Sequence, residues 1–323
     1  MNRHLCLRAL AAFALAVTAV PLAAQTADYP NKPIRIVVGY SPGGANDILA
    51  RLLAQKMAET FGQQVVVENR PSTAAIIGTE AVAKAAPDGY TLLMGASGPI
   101  VFNPALYSKL PYSPTRDLAP VSMVGSFPLI LVVQGQGPLR TLKDLIDHTK
   151  QQPSKSNYGS SAASFQLATE LLKSKTGIVA EHIPYKGSAD SVNAVVAGQV
   201  LMTLVDSGPA TGPIKGGLLR ALAVTSGKRM PQLPEVPTMT EQGIDLQITL
   251  WSGLLAPAGT PPPIVKKLQT EVARIVKLPD VRERMTQLGI EPEGGTPEEF
   301  ARVIASEIPQ WTAVARDNQI KAD

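Results

Sequence analysis

The fold is decided by the stretch Ile34-Arg-Ile-Val-Val-Gly-Tyr-Ser-Pro-Gly-Gly-Ala-Asn-Asp-Ile-Leu-Ala-Arg-Leu-Leu53. Its β-branched apolar run ends at Gly39 and predicts a buried strand. A Pro-Gly-Gly loop follows, and apolar residues then recur with the 3.6-residue period of a helix that begins near Ala45. Free backbone N–H groups and the positive end of the helix dipole meet at such a helix N-terminus. The stretch therefore predicts a site for a small anion.

The glycine loop lacks the side chains of known nucleotide-binding loops. Gly39 and Gly44 have the spacing of P-loop glycines, but Ala45 and Asn46 stand where Lys and Ser/Thr would bind phosphate and Mg²⁺. The G-x-G-x-x-G pattern of a Rossmann loop is also missing from this stretch. A carboxylate or another small anion is therefore favoured. The alternative is that Gly43 and Gly44 only turn the chain.

Residues 1–24 have the features of a secretory signal peptide. Arg3 and Arg8 supply a basic region, residues 10–20 an apolar region, and Leu22-Ala-Ala24 a cleavage site. The single cysteine, Cys6, lies ahead of the apolar region, so it predicts neither a lipid anchor nor a disulfide or thiolate metal site in the mature chain. We expect an exported protein without a membrane anchor, cleaved near residue 24.

Composition predicts a globular protein with little affinity for nucleic acid. The chain has 323 residues, of which 45% are hydrophobic, enough for one large or two medium domains. Cleavage of the signal peptide removes Arg3 and Arg8 and leaves 28 basic residues (30 less 2) and 26 acidic ones, a net charge near +2. Basic residues do not cluster with aromatic ones, which disfavours nucleic acid as a partner.

Strand–helix units succeed one another along the chain. Three units fill the first part, with loops at residues 40–46, 72–74 and 96–98, and a second series begins near Thr141. Alternating strands and helices indicate a parallel sheet whose ligands bind beyond the carboxyl ends of the strands. Two helices carry capping boxes, at Thr141 with Asp144 and at Thr296 with Glu299.

Two long apolar runs, at residues 118–133 and 246–257, are the predicted connections between two lobes. Gly125 and Pro128 interrupt the first run, so we expect two strand pieces with a bend there. The fold predicted is an α/β protein with two lobes and two hinge-crossing strands. Residues 28–126 and 248–323 form lobe 1, and residues 127–247 form lobe 2.

Taken together, these segments resemble a known family, the Bug-type (TctC-like) solute-binding receptors of tripartite tricarboxylate transporters. Matching segments run in order along the mature chain: Tyr29-Pro-x-Lys-Pro-Ile-Arg-x-Val-Val38, Gly43-Gly44-x-x-Asp47, Val66-Val-Glu-Asn-Arg-Pro71, Ala86-Pro-Asp-Gly-Tyr-Thr-Leu93, Asn103-Pro-Ala-Leu-Tyr107, Asn157-Tyr-Gly-Ser160, Pro184-Tyr-Lys-Gly-Ser188, Leu222-Ala-Val-Thr225, Gly253-Leu-Leu-Ala-Pro-Ala-Gly259 and Gly294-Gly-Thr-Pro297. The resemblance implies a monomeric periplasmic receptor with a type II-like Venus-flytrap fold. Such a receptor delivers a carboxylate to membrane permease subunits and needs no cofactor, no metal and no catalysis.

The resemblance also implies where the ligand is held, by loop backbone, small hydroxyl side chains and water. Carried over to this chain, the predicted ligand-binding residues are Tyr40, Ser41, Gly44, Asn46, Ser72, Thr73, Ala74, Ser97, Ser160, Ser161, Ser164, Asp206 and Ser207. Phe165 is added to them as a residue of the predicted apolar wall. Two loops depart from the family, which usually has glycines where this chain has residues 72–74 and 161–165. These loops are where we expect selectivity to be decided. Serines that only cap helices or close turns are the alternative.

The remaining candidates concern the walls and charges of the cleft. Tyr40 and Phe165 predict an apolar wall for an aromatic or long-chain acid, and Trp251 is expected in the core. Arg70 and Lys186 are the cationic candidates near the rim, with Arg70 expected to brace its loop. Asp206 is expected to repel a second carboxylate, to accept a hydrogen bond from the ligand, or to be a turn aspartate.

The predicted ligand is a di- or tricarboxylate, with an aromatic dicarboxylate such as terephthalate as one option. Two other functions stay open. A secreted hydrolase would need a placed base or nucleophile, but His148 and His182 have no clear partner in the sequence and no G-x-S-x-G elbow is present. A ligand-loaded sensor for a membrane signalling partner is not separated from a transport receptor by the sequence.

Overall fold

The computed structural model describes residues 29–321. The predicted signal peptide and Cys6 lie outside the described residues. Within them, no helix is both long and apolar enough to span a bilayer.

The first strand–loop–helix unit forms where the sequence predicts it. Strand β1 (Ile34–Val38) has almost entirely buried residues, and helix α1 (Ala45–Phe61) begins after the glycine loop and ends at Gly62, whose φ of 65° is left-handed. Strands β2 (Val65–Asn69) and β3 (Thr91–Ala96) pair with β1 in parallel, one on each side. Helix α2 (Ile76–Ala83) connects them. The carboxyl ends of these strands therefore share one edge of the sheet, as predicted.

Strand β4 (Leu118–Gln134) is one 17-residue strand, so the predicted break into two pieces is wrong. Up to Pro128 it pairs with β9 (Thr249–Pro257), and from Leu129 onward it pairs with β7 (Met202–Asp206). Pro128 lies where the partner changes, a place where its missing N–H is tolerated. The pairing of β4 with β9 shifts register just before Ser122 and just after Met123. The strand therefore continues, with local irregularities, through the region where the sequence predicts a break.

The sheet continues from β4 into a second region. In this region β5 (Asn157–Ser160) pairs in parallel with β6 (Glu181–Pro184) and β7, and β8 (Leu219–Val224) pairs with β4. The full strand order is β2-β1-β3-β9-β4-β7-β5-β6, with β8 and β10 (Glu291–Gly294) also on β4. We call the part of the sheet formed by β1, β2, β3, β9 and β10, with its helices, the first half. The part formed by β5, β6, β7 and β8, with its helices, is the second half, and β4 runs through both. The predicted α/β class is confirmed.

The chain returns to the first half through a short extended segment before β9. The N–H of Ile248 donates to the carbonyl of Thr225 at 3.0 Å in the second half, and β9 then joins β3 and β4 in the first half. Strand structure thus begins at Thr249 rather than at residue 246.

Helices cover the sheet. In addition to α1 and α2, they are α3 (Asn103–Leu106), α4 (Pro114–Asp117), α5 (Leu142–Gln151), α6 (Ala163–Thr176), α7 (Ser188–Val196), α8 (Ser207–Lys215), α9 (Pro262–Ile275), α10 (Pro279–Gln287) and α11 (Pro297–Asp317). Both predicted capping boxes are confirmed, at Thr141 with Asp144 and at Thr296 with Glu299.

Candidate functional site

A buried cavity lies between the two halves, where the loops after β1 and β3 face the starts of α6 and α7. The residues that line it are Tyr40, Gly44, Asn46, Asp47, Ala96, Ser97, Phe127, Ser161, Ala162, Ser164, Phe165, Ser188 and Leu250. Its volume of about 20 Å³ is room for roughly one water molecule. In this conformation the cavity has no room for a larger molecule.

Two hydroxyl groups in this cavity have no hydrogen-bond partner. Tyr40 Oη and Ser161 Oγ are both buried and unpaired, although buried polar atoms are nearly always hydrogen-bonded. They come from opposite halves, Tyr40 from the loop after β1 and Ser161 from the loop before α6. Burial raises the pKa of the Tyr40 phenol well above its usual value, so the hydroxyl keeps its proton and can donate. The pair is a ready donor set for an anion.

The start of helix α6 adds further donors on the second half. Its N-cap residue is Ala162, which has extended backbone and no side-chain oxygen to accept from the first turn. First-turn N–H groups without a capping side chain attract anions, because they carry the positive end of the helix dipole. Ser161 and Ser164 on this segment both line the cavity, so the helix start and the free Ser161 hydroxyl point to the same place.

The cavity lining contains a carboxylate but no lysine or arginine. Burial by itself raises the pKa of Asp47, but hydrogen bonds from Arg51, from the Gly43 N–H and from Asn69 lower it, and the net pKa is below the usual value. Arg51 Nε lies 3.0 Å from Asp47 Oδ2, so this charge is already paired. Recognition of an anion here would rest on neutral donors.

Asn46 supplies one more donor. The Ser252 hydroxyl donates to Asn46 Oδ1 at 2.8 Å, which fixes the oxygen end of this amide. The amide nitrogen is then the end left to donate. Asn46, Tyr40, Ser97, Ser161, Ser164 and Ser188 together give the cavity a set of uncharged polar groups.

Half of the residues predicted from the sequence reach this cavity. They are Tyr40, Gly44, Asn46, Ser97, Ser161, Ser164 and Phe165. The other half lie outside the lining: Ser41, Ser72, Thr73, Ala74, Ser160, Asp206 and Ser207.

Several of the predicted residues outside the lining make hydrogen bonds to other parts of the protein. Ser72 Oγ accepts from the Ile77 N–H at 3.0 Å and so caps the start of α2. Thr73 and Ala74 form a 3₁₀ turn, and the Ala74 carbonyl accepts from the Asn103 amide at 3.0 Å. Ser207 Oγ donates to the Leu288 carbonyl. The loop at 72–74 therefore lies outside the cavity in this conformation, and its role in selectivity stays a prediction.

Ser41 and Ser160 are likewise held by other groups. The Ser41 N–H donates to the Lys186 carbonyl at 3.1 Å, a bond between the two halves. Ser160 Oγ lies 2.7 Å from His182 Nε2, so the expectation that His182 has no partner is wrong. Burial lowers the pKa of His182 below its usual value. This serine–histidine pair does not line the cavity.

Asp206 lies next to the cavity without lining it. Its Oδ2 accepts from the N–H of Ala45, the first residue of α1, at 3.0 Å, and its Oδ1 accepts from Ser188 Oγ. Burial raises the pKa of Asp206, against the effect of these two hydrogen bonds. The anion that meets the first N–H of α1 is thus the chain's own carboxylate. The sequence predicts an anion at the start of α1, but the predicted anion is the ligand rather than a side chain of the protein.

Six lining residues are not among the predicted ones: Asp47, Ala96, Phe127, Ala162, Ser188 and Leu250. Asp47, Ala96 and Ala162 are direct neighbours of predicted residues in the same loops. Phe127 and Leu250 lie in the two apolar runs that connect the halves, and they give the cavity an apolar wall. No local signal separates them from ordinary core residues. Ser188 belongs to a segment that matches the family, Pro184–Ser188, and only that match could have found it.

The other candidates have structural contacts. Arg70 Nε binds Glu68 Oε1 at 2.6 Å, which agrees with a bracing role, and neither Arg70 nor Lys186 lines the cavity. Trp251 is buried and its Nε1 donates to Glu307 at 2.9 Å, as expected of a core residue. Across residues 29–321, no group of three or more His, Cys, Asp or Glu side chains is arranged to hold a metal ion.

Comparison with known proteins gives consistent matches. The chain matches the model of the family described as "Tripartite tricarboxylate transporter family receptor" over residues 49–320. The periplasmic binding protein BugD is 34% identical with a TM-score of 0.87, covering 91% of this chain and 99% of that one. Rpa4515 of R. palustris, solved with adipate, gives the same values. MatC of Rhodopseudomonas palustris, solved with bound malate, is 32% identical with a TM-score of 0.85, covering 88% and 99%.

Proposed function

This chain belongs to the family of tripartite tricarboxylate transporter receptors, which are periplasmic solute-binding proteins, and on that premise we propose that its solute is a small carboxylate. The observation that carries the proposal is the pair of buried, unpartnered hydroxyls of Tyr40 and Ser161, which face one cavity from opposite halves. A carboxylate would accept from both and would lie at the uncapped start of α6. The similar structures with adipate and malate support this ligand class.

The walls of the cavity favour an acid with an apolar body. Phe127, Phe165 and Leu250 lie beside the hydroxyl donors, and no cation is present in the lining to balance several negative charges. Each carboxylate added to a ligand has to be desolvated, so a di- or tricarboxylate needs enough neutral donors to replace its water. An aromatic dicarboxylate such as terephthalate combines an apolar ring with two carboxylates, and it is one option within the class of di- and tricarboxylates.

We propose that the two halves act as lobes that close on this ligand. The boundaries predicted from the sequence, 28–126 with 248–323 and 127–247, fall where β4 changes partner and where the chain returns to β9. The proposed partners are the membrane permease subunits of the transporter. The receptor would act as a monomer in the periplasm, after export and cleavage of the signal peptide near residue 24. The function needs no cofactor and no catalytic step. A ligand-loaded sensor would use the same closure with a different membrane partner.

Isothermal titration calorimetry of the mature chain, residues 25–323, tests the ligand class. We expect terephthalate, adipate or malate to bind, and the uncharged diamide of adipate to give no heat, because it lacks the carboxylate that the donors recognise. A folded protein that binds none of these acids, or binds the diamide as tightly as adipate, would contradict the proposal. Mass spectrometry of protein purified without denaturation would identify the ligand that it carries.

A pair of serine variants, one just before helix α6 and one within it, tests the site itself. Ser161→Ala removes an unpaired donor in the cavity, so we expect the affinity for the acid that binds to fall about fivefold to tenfold, with no loss of folding stability. Ser174→Ala is the matched control, because the Ser174 hydroxyl donates to the Leu171 carbonyl near the other end of the same helix. Equal affinities of the two variants would place the carboxylate away from Ser161.

A further inference from the structure

Asp206 joins the two halves beside the cavity without lining it. It ends strand β7 in the second half, and its Oδ2 accepts from the Ala45 N–H of the first half at 3.0 Å. Ser188 at the start of α7 donates to the other oxygen. The residue is only 2% exposed. One side chain therefore connects the end of a strand with the starts of α1 and α7, and the same residue is the N-cap of α8.

No cation compensates this buried charge. Among the ion pairs of residues 29–321, none involves Asp206. The partial positive charge at the start of α1 takes that role, since Ala45 supplies the first N–H of a 17-residue helix. Further hydrogen bonds come from its own half, from Ser188 and from the backbone N–H groups of Asp206 and Gly208 at the start of α8. Separation of the halves would remove the Ala45 contribution and leave these bonds in place.

The surrounding chain is shaped for this contact. A Cβ built on Gly208 would lie 3.3 Å from Asp206 Oδ2 and 3.4 Å from the Ala45 nitrogen, so the glycine lies close against this bond. Close by, the Ser41 N–H donates to the Lys186 carbonyl, again from one half to the other. The two hydrogen bonds form one seam along the closed cleft.

We propose that Asp206 is the latch of the cleft, a positioning residue that holds the two halves closed through the start of α1. The inference rests on the proposed function only in that the halves must separate to admit a ligand. The latch also assigns the two helix starts different roles. Asp206 occupies the first N–H of α1 in the closed form, so the ligand's carboxylate is left with the donors of Tyr40, Ser161 and α6.

The latch is tested without any ligand, by measuring the distance between the halves. Lys84 and Lys143 lie in different halves, with side chains 66% and 81% exposed, and each can be replaced by cysteine and spin-labelled. Cys6 is the only native cysteine and precedes the predicted cleavage site, so the mature chain carries no competing thiol. Pulsed electron paramagnetic resonance then gives the populations of closed and open forms.

We expect a dominant closed population in the parent protein and a fall of the closed-to-open ratio by about ten- to hundredfold in Asp206→Ala, the range for hydrogen bonds to a charged group. Asp206→Asn keeps the size and an acceptor oxygen but loses the charge, so its ratio should be intermediate. Asp245→Ala is the matched control, because this second-half carboxylate is 98% exposed and its removal should leave the ratio unchanged.

Two results would overturn the latch. One is a parent protein that is open without ligand; the other is an unchanged distance distribution in both Asp206 variants. Should Asp206→Ala fail to fold, the Asn variant decides alone, with its melting curve showing that it is folded. Because the measurement uses no ligand, a failed carboxylate titration leaves the latch intact, and an unchanged distance leaves the proposed ligand class intact.

Discussion

At the scale of single residues, Tyr40 combines two properties that are seldom found together. The residue is only 7% exposed as part of the core, and its hydroxyl is buried without a partner. A buried unpaired hydroxyl lowers the stability of the ligand-free protein, since the group has lost its water and gained nothing. Such a residue persists where a ligand supplies the missing partner. Removal of its hydroxyl should therefore affect binding and folding in opposite directions.

Tyr40→Phe is expected to weaken binding of the carboxylate about tenfold and to leave the melting temperature unchanged or higher. The reason is that the variant loses a donor to the ligand and also loses an unsatisfied polar atom. Calorimetry with the acid that binds and a thermal melt of the free protein measure the two effects. Tyr112→Phe is the contrast, because Tyr112 Oη donates to the Pro99 carbonyl at 2.8 Å, and its loss should lower stability by about 1 kcal/mol. A Tyr40→Phe variant that melts lower than the parent would contradict this account.

The contacts of Asp47 predict how the free energy of unfolding depends on pH. Its pKa in the folded protein is lowered, against the raising effect of burial, by bonds from Arg51, Gly43 and Asn69. A carboxylate whose folded pKa lies below its unfolded value stabilises the fold above the unfolded pKa, near 3.8, and loses that contribution as the pH falls through the folded pKa. We expect the parent to exceed Asp47→Asn in unfolding free energy by about 1.5–3 kcal/mol at pH 7, and by less at pH 3. Urea unfolding at both pH values measures this, and an equal difference at the two would contradict it.

At the scale of elements, the seam between the halves depends on how closely the loop before α7 approaches the loop after β1. Gly187 has a φ of −159°, extended backbone that any residue adopts, so the glycine is not needed for conformation. It is needed for space, because a Cβ there would lie 2.6 Å from the Cβ of Ser41 in the other half. A single methyl group at this position should therefore act as a wedge.

Gly187→Ala is expected to shift the ligand-free protein towards the open form and to weaken ligand binding severalfold, because the closed form gains a steric clash and the open form does not. Small-angle X-ray scattering reports the opening as a larger radius of gyration. Gly212→Ala in α8 is the matched control, since a Cβ there meets nothing within 4 Å and alanine favours helix. A radius that stays at the parent value for both variants would show that the seam tolerates the wedge.

At the scale of the whole molecule, one threonine ties together both connections between the halves. Thr225 Oγ1 accepts from the Leu129 N–H at 2.8 Å, just where β4 changes partner, and donates to the Ile248 carbonyl at 2.7 Å, just before β9. The backbone of Thr225 also pairs with both segments. These hydrogen bonds therefore hold together the segment where β4 changes partner and the segment that leads into β9. We expect the two predicted hinge segments to move together for this reason.

Thr225→Val is expected to destabilise the protein by about 1–3 kcal/mol, because valine has the same shape but leaves a buried N–H and a buried carbonyl without their partner. Thr203→Val is the matched control in the same region of the sheet. The Thr203 hydroxyl donates to the Gly159 carbonyl at 2.8 Å, so this variant also removes a buried hydroxyl, but away from the crossing. Urea unfolding measures both variants. A loss in Thr225→Val no larger than that in Thr203→Val would contradict a special role for the crossing.

The sequence by itself determined the features that neighbouring residues decide together. The apolar run and glycine loop of residues 34–44 set the first strand and helix, and Thr141 and Thr296 set two helix starts, because hydrophobic period and capping act within a few residues. The succession of motifs along the chain also sufficed to place it in its family.

Only the tertiary structure decided which polar groups meet. Ser72 and Ser161 look alike in the sequence, yet one caps a helix and the other faces the cavity without a partner. Phe127 and Leu250 come together from distant apolar runs, and Asp206 reaches an N–H group 161 positions away. The physical reason is that a hydrogen bond needs its two atoms within about 3 Å, and the packing of separate elements sets that distance.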